Sequence, residues 1–246
     1  MGKDVIIACD FPSAQECLDF LGQFHEEKPF VKIGMELFYS AGPSIVRNLK
    51  SRGHKIFLDL KMHDIPNTVA SAVRVLRDLD VDLLNVHAAG SIAMMRAAAE
   101  SCGSGGKKPL LIAVTQLTST NEQTLHKELL IDRPLSEVVA HYAACAKHAG
   151  LNGVVCSPLE SSPVHEQCGA DFLTVTPGVR FPEDTAGDQK RITTPKHARE
   201  LGSDYIVMGR PITRAADPVA VYHRAMNDFV GCNTSALEHK NISGKE

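Results

Sequence analysis

The chain has 246 residues, a length that suits one large α/β barrel as well as two smaller domains. Its 43% hydrophobic and 22% charged content is that of a globular protein, which excludes a disordered or collagen-like chain. With a net charge of −3, no Trp and 5% aromatic residues, it offers nucleic acid neither a basic field nor a stacking surface. No apolar run reaches the roughly 18 residues of a membrane span, and the opening stretch 1–10 breaks too early for a signal peptide. The seven cysteines are scattered without a C-x-x-C pair, as in proteins whose thiols stay reduced, so a cytoplasmic location is expected.

In chain order, short runs rich in β-branched residues or Leu occur at 5–10, 30–35, 55–61, 83–88, 110–116, 153–157, 172–177 and 205–210. Each is bounded by Gly, Pro, Asp or Asn, and each reads as a strand. Amphipathic patterns between them predict helices at 13–24, 43–52, 68–79, 92–101, 134–150 and 195–202. Ser13 and Ser91 suit N-caps, Pro43 and Pro134 first turns, and Gly53 and Gly150 C-terminal stops. Eight strands alternating with helices predict an α/β protein built as a single (β/α)8 TIM barrel over residues 1–230. An open doubly wound sheet is the alternative, but the eight regular units and the lack of a glycine fingerprint after the first strand argue against it. Residues 231–246 have no apolar period and are expected to form a flexible tail.

Side chains alternate faces along a strand, so the residues opposite a helix-facing apolar set look into the barrel. In the third strand Ile56, Leu58 and Leu60 take the helix face, which sends Asp59 and Lys61 inward. In the second, Val31, Ile33 and Met35 take the helix face and Lys32 goes inward; Asp10 closes the first. Four charges, two of each sign, thus converge on the C-terminal end of the barrel, where barrel enzymes place their chemistry. Asp64, just past the third strand, is a candidate fifth. Any one pair reads more readily as a rim salt bridge. Four charges on neighbouring inward positions are harder to explain as stabilisers, because buried charges are costly unless paired.

The eighth strand ends Val207-Met208-Gly209-Arg210-Pro211, and the seventh is followed by Pro177-Gly178-Val179-Arg180. Barrels frequently bind phosphate after these two strands, and Arg180 and Arg210 flanking one site suit a phosphate clamp. The polar stretch 181–194, with Gly187, Asp188 and Gln189, is long enough for a lid, the alternative being a solvated connection. His87 on the fourth strand is expected to be a core histidine with a satisfied hydrogen bond, since no metal-ligand spacing is present among the histidines. Thr118 follows the fifth strand, and spacing alone does not select it over its neighbours.

The segment Asp59-Leu60-Lys61-Met62-His63-Asp64-Ile65-Pro66-Asn67-Thr68 closely resembles the D-x-K-x-x-D-I-P-N-T motif of the bacterial-type orotidine 5′-phosphate decarboxylase family. Lys32-Ile33-Gly34, Gln116-Leu117-Thr118-Ser119, Pro177-Gly178-Val179-Arg180, Gly187-Asp188-Gln189 and Val207-Met208-Gly209-Arg210-Pro211 match further motifs in the family's order. The resemblance covers nearly the whole chain and implies decarboxylation of orotidine 5′-monophosphate to UMP, the last step of de novo UMP synthesis. It implies no cofactor and no metal. It also implies a homodimer in which Asp64 and the Thr68 segment reach into the partner's site. Lys61 would donate the proton to C6, Asp59 would sit beside the substrate carboxylate, and Lys32 and Asp64 would complete an alternating charge network. Asp10 and Lys32 would hold ribose hydroxyls and Thr118 the pyrimidine. Ile65 and Pro177 would contact substrate, and Arg180, Gln189, Gly209 and Arg210 would serve the phosphate and the pyrimidine-side loop.

The residue chemistry agrees with that implication. Loss of CO2 from C6 leaves charge in the ring plane, without an ordinary π sink, and a fixed ammonium can stabilise and then protonate it. Opposite charges about 4 Å apart interact by roughly 4 kcal/mol at an effective dielectric of 20. Two other readings stand beside this one. A related barrel enzyme would act on a sugar phosphate through Mg²⁺, but its acidic ligand at the end of the second strand is matched here by Lys32. A non-catalytic phosphate binder would have no use for Asp59, Lys61 and Asp64.

Overall fold

All eight apolar runs form strands. The computed structural model describes residues 3–25, 27–103, 108–184 and 193–231. Its strands are β1 (Asp4–Ala8), β2 (Phe30–Gly34), β3 (Ile56–Met62), β4 (Leu83–His87), β5 (Leu110–Val114), β6 (Gly153–Val155), β7 (Leu173–Thr176) and β8 (Tyr205–Met208). The helices are α1 (Ala14–Gly22), α2 (Met35–Ala41), α3 (Pro43–Ser51), α4 (Pro66–Arg77), α5 (Ser91–Ser101) and α6 (Glu122–Lys127), then α7 (Leu135–His148), α8 (Ser161–Cys168), α9 (Pro195–Glu200), α10 (Arg210–Thr213) and α11 (Pro218–Val230). Each strand pairs in parallel with the next, and β8 pairs with β1, so the sheet closes as a (β/α)8 barrel. No helix among the described residues is long and apolar enough to cross a membrane.

The two-residue period divides the core into two layers. Val5, Ile7, Val31, Ile33, Ile56 and Leu58 point outward and pack under the helices. Ile6, Ala8, Phe30, Phe57, Leu83, Ile112, Val175, Tyr205 and Val207 point inward and fill the barrel. The inner layer is apolar toward the N-terminal ends of the strands, which leaves the C-terminal mouth for polar residues.

The element ends differ from the predicted ones in a consistent direction. Most strands stop one or two residues before the expected end, because the chain leaves the ladder at the mouth to turn into loops or helices. Met35 shows this best: it opens α2 directly after Gly34 and stays 46% exposed, where the alternation placed it on the helix face of β2. Ser13 caps α1 by accepting the Glu16 N–H as expected, whereas Ser91 (φ 84°) is the first residue of α5 rather than its cap. Pro134 precedes α7 instead of lying in its first turn. Gly53 and Gly150 follow α3 and α7 with φ of 91° and 88°, the left-handed stop expected of them.

Helices α2, α6, α8, α10 and α11 were not predicted. Four are one or two turns long, too short to establish a period. The fifth, α11, carried a readable start: Asp217 accepts the Ala220 N–H and Pro218 opens the first turn. Its Tyr222 packs edge-on against Phe24 at 5.6 Å and its Phe229 is fully buried, so it covers the outer face beside β1.

Strands β6 and β7 approach each other closely at Gly153. A Cβ on Gly153 would lie 2.2 Å from the carbonyl oxygen of Leu173, its register partner. That contact involves backbone and cannot relax by rotating a side chain. Gly153→Ala is expected to lower unfolding free energy by about 1–3 kcal/mol, read from the denaturant midpoint.

Candidate active site

At the C-terminal mouth the three inward strand positions and Asp10 form one chain of alternating charge. Lys32 Nζ lies 2.9 Å from Asp10 Oδ1 and 3.4 Å from Asp59 Oδ2. Lys61 Nζ lies 2.7 Å from Asp59 Oδ1. Exposure grades along the chain: the side chains of Lys32 and Asp59 are 11% and 10% exposed, against 55% for Asp10. Burial opposes the charge on Asp59, but Lys32 and Lys61, with hydrogen bonds from Lys61 and Asn85, more than offset it and hold the carboxyl below its ordinary value. Burial likewise works against the Lys32 ammonium, and Asp59 and Asp10 outweigh it, leaving Lys32 above its ordinary value.

Local backbone makes room for this chain. A Cβ at residue 34 would lie 2.9 Å from Asp10 Oδ1 and 3.1 Å from Lys32 Nζ, so a larger residue there would push the paired side-chain ends aside. Lys61 does not follow simple alternation. Between Leu58↔Leu84 and Met62↔Val86 the β3–β4 register shifts, four steps on one strand facing two on the other. Lys61 sits in that irregularity with φ 50°, a left-handed conformation that costs a non-glycine residue about 1–3 kcal/mol. Its backbone N–H donates to Asn85 Oδ1 at 2.8 Å, and Asn85 Nδ2 donates to Asp59 Oδ1 at 2.7 Å. The sequence reading overlooked Asn85. The signal for it was a polar residue on the inward face of β4, between Leu83 and His87.

Two contiguous cavities open beside the charges. One, of about 300 Å³, is bounded by Lys32, Asp59, Lys61, Thr118 and Pro177. The other, of about 390 Å³, extends from Asp10 and Lys32 to Pro177, Arg180, Gly209 and Arg210. Thr118 is buried, so the loop after β5 does bring it to the site. Burial and then the neighbouring Arg210 guanidinium push Arg180 below its ordinary value, the mark of two like charges collected at one end. The segment after β7 is clipped at its foot: Arg180 N–H donates to Thr193 O at 2.9 Å, and Thr193 N–H to Gly178 O at 3.2 Å. Arg224 of α11 lies over the Phe181 ring, 3.9 Å from its centroid, and pairs with Glu183.

Some expected site residues lie elsewhere. Asp64, Ile65 and Thr68 are exposed on the rim, and Asp64 Oδ1 accepts the Ile65 N–H at 2.6 Å, so Asp64 does not join the four charges within its own chain. Gln189 lies outside the described residues, as does most of the 181–194 stretch. His87 is not the hydrogen-bonded core histidine expected. Its Nδ1 has no partner among the described residues, and its ring stacks on His63 at 5.4 Å. Burial, followed by His63 and Lys61, lowers its pKa and so favours the neutral ring.

A family model described as the orotidine 5′-phosphate decarboxylase / HUMPS family matches residues 3–225 of the chain. A Bacillus caldolyticus protein named orotidine 5′-phosphate decarboxylase is 57% identical over 235 residues, 94% of this chain and 96% of that relative. Among solved structures, orotidine 5′-phosphate decarboxylase from Lactobacillus acidophilus is similar at TM-score 0.83 and 43% identity, over 92% of this chain and 99% of its own. An uncharacterized conserved protein from Geobacillus kaustophilus is similar at TM-score 0.82 and 52% identity, with the same coverage.

The charge chain gives a pH test. Because Asp59 is lowered on folding, its contribution is present above the unfolded carboxylate value of about 3.9 and is lost as pH falls through the lower folded value. Asp59→Asn leaves Lys32 and Lys61 without their shared partner and is expected to cost about 3–5 kcal/mol at neutral pH. That gap should narrow in acid, where the native carboxyl also becomes neutral. Urea unfolding of both proteins at several pH values reads it.

Proposed function

The chain belongs to the orotidine 5′-phosphate decarboxylase / HUMPS family, and from that membership we infer that it removes CO2 from orotidine 5′-monophosphate to give UMP, the last step of de novo UMP synthesis. The observation that carries the reading is the alternating chain Asp10–Lys32–Asp59–Lys61, closed by contacts of 2.9, 3.4 and 2.7 Å beside the barrel cavities.

In this reading the bond from C6 to the carboxylate carbon breaks and its electron pair stays on C6, in the plane of the pyrimidine. Lys61 stabilises that charge and gives its proton to C6. The Asp59 carboxylate stands beside the departing carboxylate, so repulsion present in the bound substrate vanishes with CO2. Lys32 keeps Asp59 ionised and, with Asp10, holds the ribose hydroxyls. Thr118 and Pro177 meet the pyrimidine. Arg180, Gln189, Gly209 and Arg210 take the phosphate and the loop over it. Phosphate binding is remote from the reacting bond, yet its energy holds the site closed and oriented.

The active form in this reading is a cytoplasmic homodimer of 1–230 barrels, with residues 231–246 outside the catalytic unit. Asp64, with Thr68, reaches from each subunit into the partner's site. The exposed rim supports this: Ile65 is 67% exposed, and Tyr39 and Val75, which line one cavity with His63, are 72% and 67% exposed.

A Mg²⁺-dependent sugar-phosphate reaction fits less well. It needs an acidic ligand where the Lys32 ammonium stands between two carboxylates. Loss of orotidine 5′-monophosphate absorbance in EDTA, with no added cofactor, separates the two. Conversion to UMP is expected; no conversion by folded dimer rejects the reading. Lys61→Ala should abolish turnover and leave UMP binding measurable by calorimetry, and near-normal activity in that variant would sink the mechanism. Arg210→Ala should weaken UMP affinity and slow turnover without changing the product.

A further inference from the structure

Asn85 makes two side-chain hydrogen bonds in the barrel interior, both to members of the charged segment of β3. It is fully buried on the inward face of β4, and both ends of its amide are engaged with β3. Oδ1 accepts from the Lys61 backbone N–H, which can only donate. Nδ2 donates to Asp59 Oδ1, which as a carboxylate can only accept. One acceptor and one donor on the same amide carbon match these two partners. A hydrocarbon of the same size matches neither, and a carboxylate matches only the first.

The two bonds fall on the two residues whose relative position matters most. Lys61 holds a left-handed backbone where the β3–β4 ladder has lost its register, so ladder bonds do not define its place. The Asn85 acceptor supplies a bond there. The Asn85 donor lands on the same Asp59 oxygen that Lys61 Nζ contacts at 2.7 Å. The amide therefore ties the start of the Lys61 side chain and the target of its end to one rigid strand.

We infer that Asn85 is a positioning residue for the decarboxylation: it fixes the Lys61 backbone and the Asp59 carboxylate together, so that the ammonium is held where C6 must be protonated. This rests on Lys61 being the proton donor. A misplacement of about 1 Å costs about 100-fold in rate, so the loss should appear in kcat. UMP lacks the carboxylate that Asp59 opposes, so its affinity should be little changed.

Two variants test this, each measured against the wild type for kcat on orotidine 5′-monophosphate and for UMP affinity. Asn85→Leu should lose kcat by about 100-fold while UMP affinity stays within about threefold. Asn85→Asp is nearly isosteric and guards against a folding defect. Its carboxyl can accept from Lys61 N–H at any pH but can donate to Asp59 only while the pair holds a proton. The charged and titratable groups around that pair are Asp59 and Lys61 on β3, Lys32 behind Asp59 on β2, and His87 on β4 with His63 stacked on it; the β5 register partner, Ile112, carries no charge. The kcat deficit of Asn85→Asp should therefore be larger at about pH 8 than at about pH 6, relative to the wild type. An equal deficit at both pH values, a kcat near that of the wild type, or parallel losses of kcat and UMP affinity would overturn the assignment. If the wild type itself converts no substrate, it is the reading of the reaction that fails, before Asn85 is in question.

Discussion

The Asp59 carboxylate is the constraint around which the mouth of this barrel is arranged. Removing it from water is unfavourable, and the compensation comes from three donors on three strands: Lys32 on β2, Lys61 on β3 and Asn85 on β4. Each donor is itself buried or partly buried and needs an acceptor. The result is a set of groups in which every member depends on the others, and the gaps in that set define where a ligand atom can sit. A site of this kind is held in place before substrate arrives, which is the condition under which charges lower a barrier without reorganising.

That set could not be built on loops. Lys32 and Asp59 occupy neighbouring strands in a fixed parallel register, with Gly34 opposite Asp59. The apolar layer beneath, with Phe57 and Leu83 among its members, fills the barrel and prevents the charged layer from sinking into it. The arginine end of the mouth is built from chain just beyond β7 and β8, outside the strand ladder. Chemistry on the ladder and binding beyond it are thereby assigned to different parts of one rim.

How much of this could be read from the sequence followed from whether the signal was local. The strands were legible because each is an apolar run between turn residues, and the inward direction of Lys32 and Asp59 followed from period two alone. Asp10 and Arg210 were legible as residues at strand ends. The bulge at Lys61 was not, because it is a mismatch between two strands and neither strand shows it by itself. Asn85 was missed for the same reason: its meaning lies in partners 24 and 26 residues away. The short helix α2 escaped because it starts directly from β2 with no cap to announce it. Asp64 illustrates the opposite limit, a residue whose spacing within the motif is plain but whose destination is not on its own chain's charge network.

Closure of β8 onto β1 has a further consequence during synthesis. Asp4 to Ile7 pair with Tyr205 to Met208, so the first strand made waits for the last before its edge is covered. Until then the nascent chain presents two open parallel edges and an inner face holding two lysines and two carboxylates with little shelter from water. Contacts so distant along the chain are slow to form, and an uncovered edge invites pairing with another chain. The ribosome must release almost the entire barrel before the β1 edge is covered and the arginine end of the site is complete, so a chain that stalls before residue 205 has neither a closed sheet nor a whole mouth.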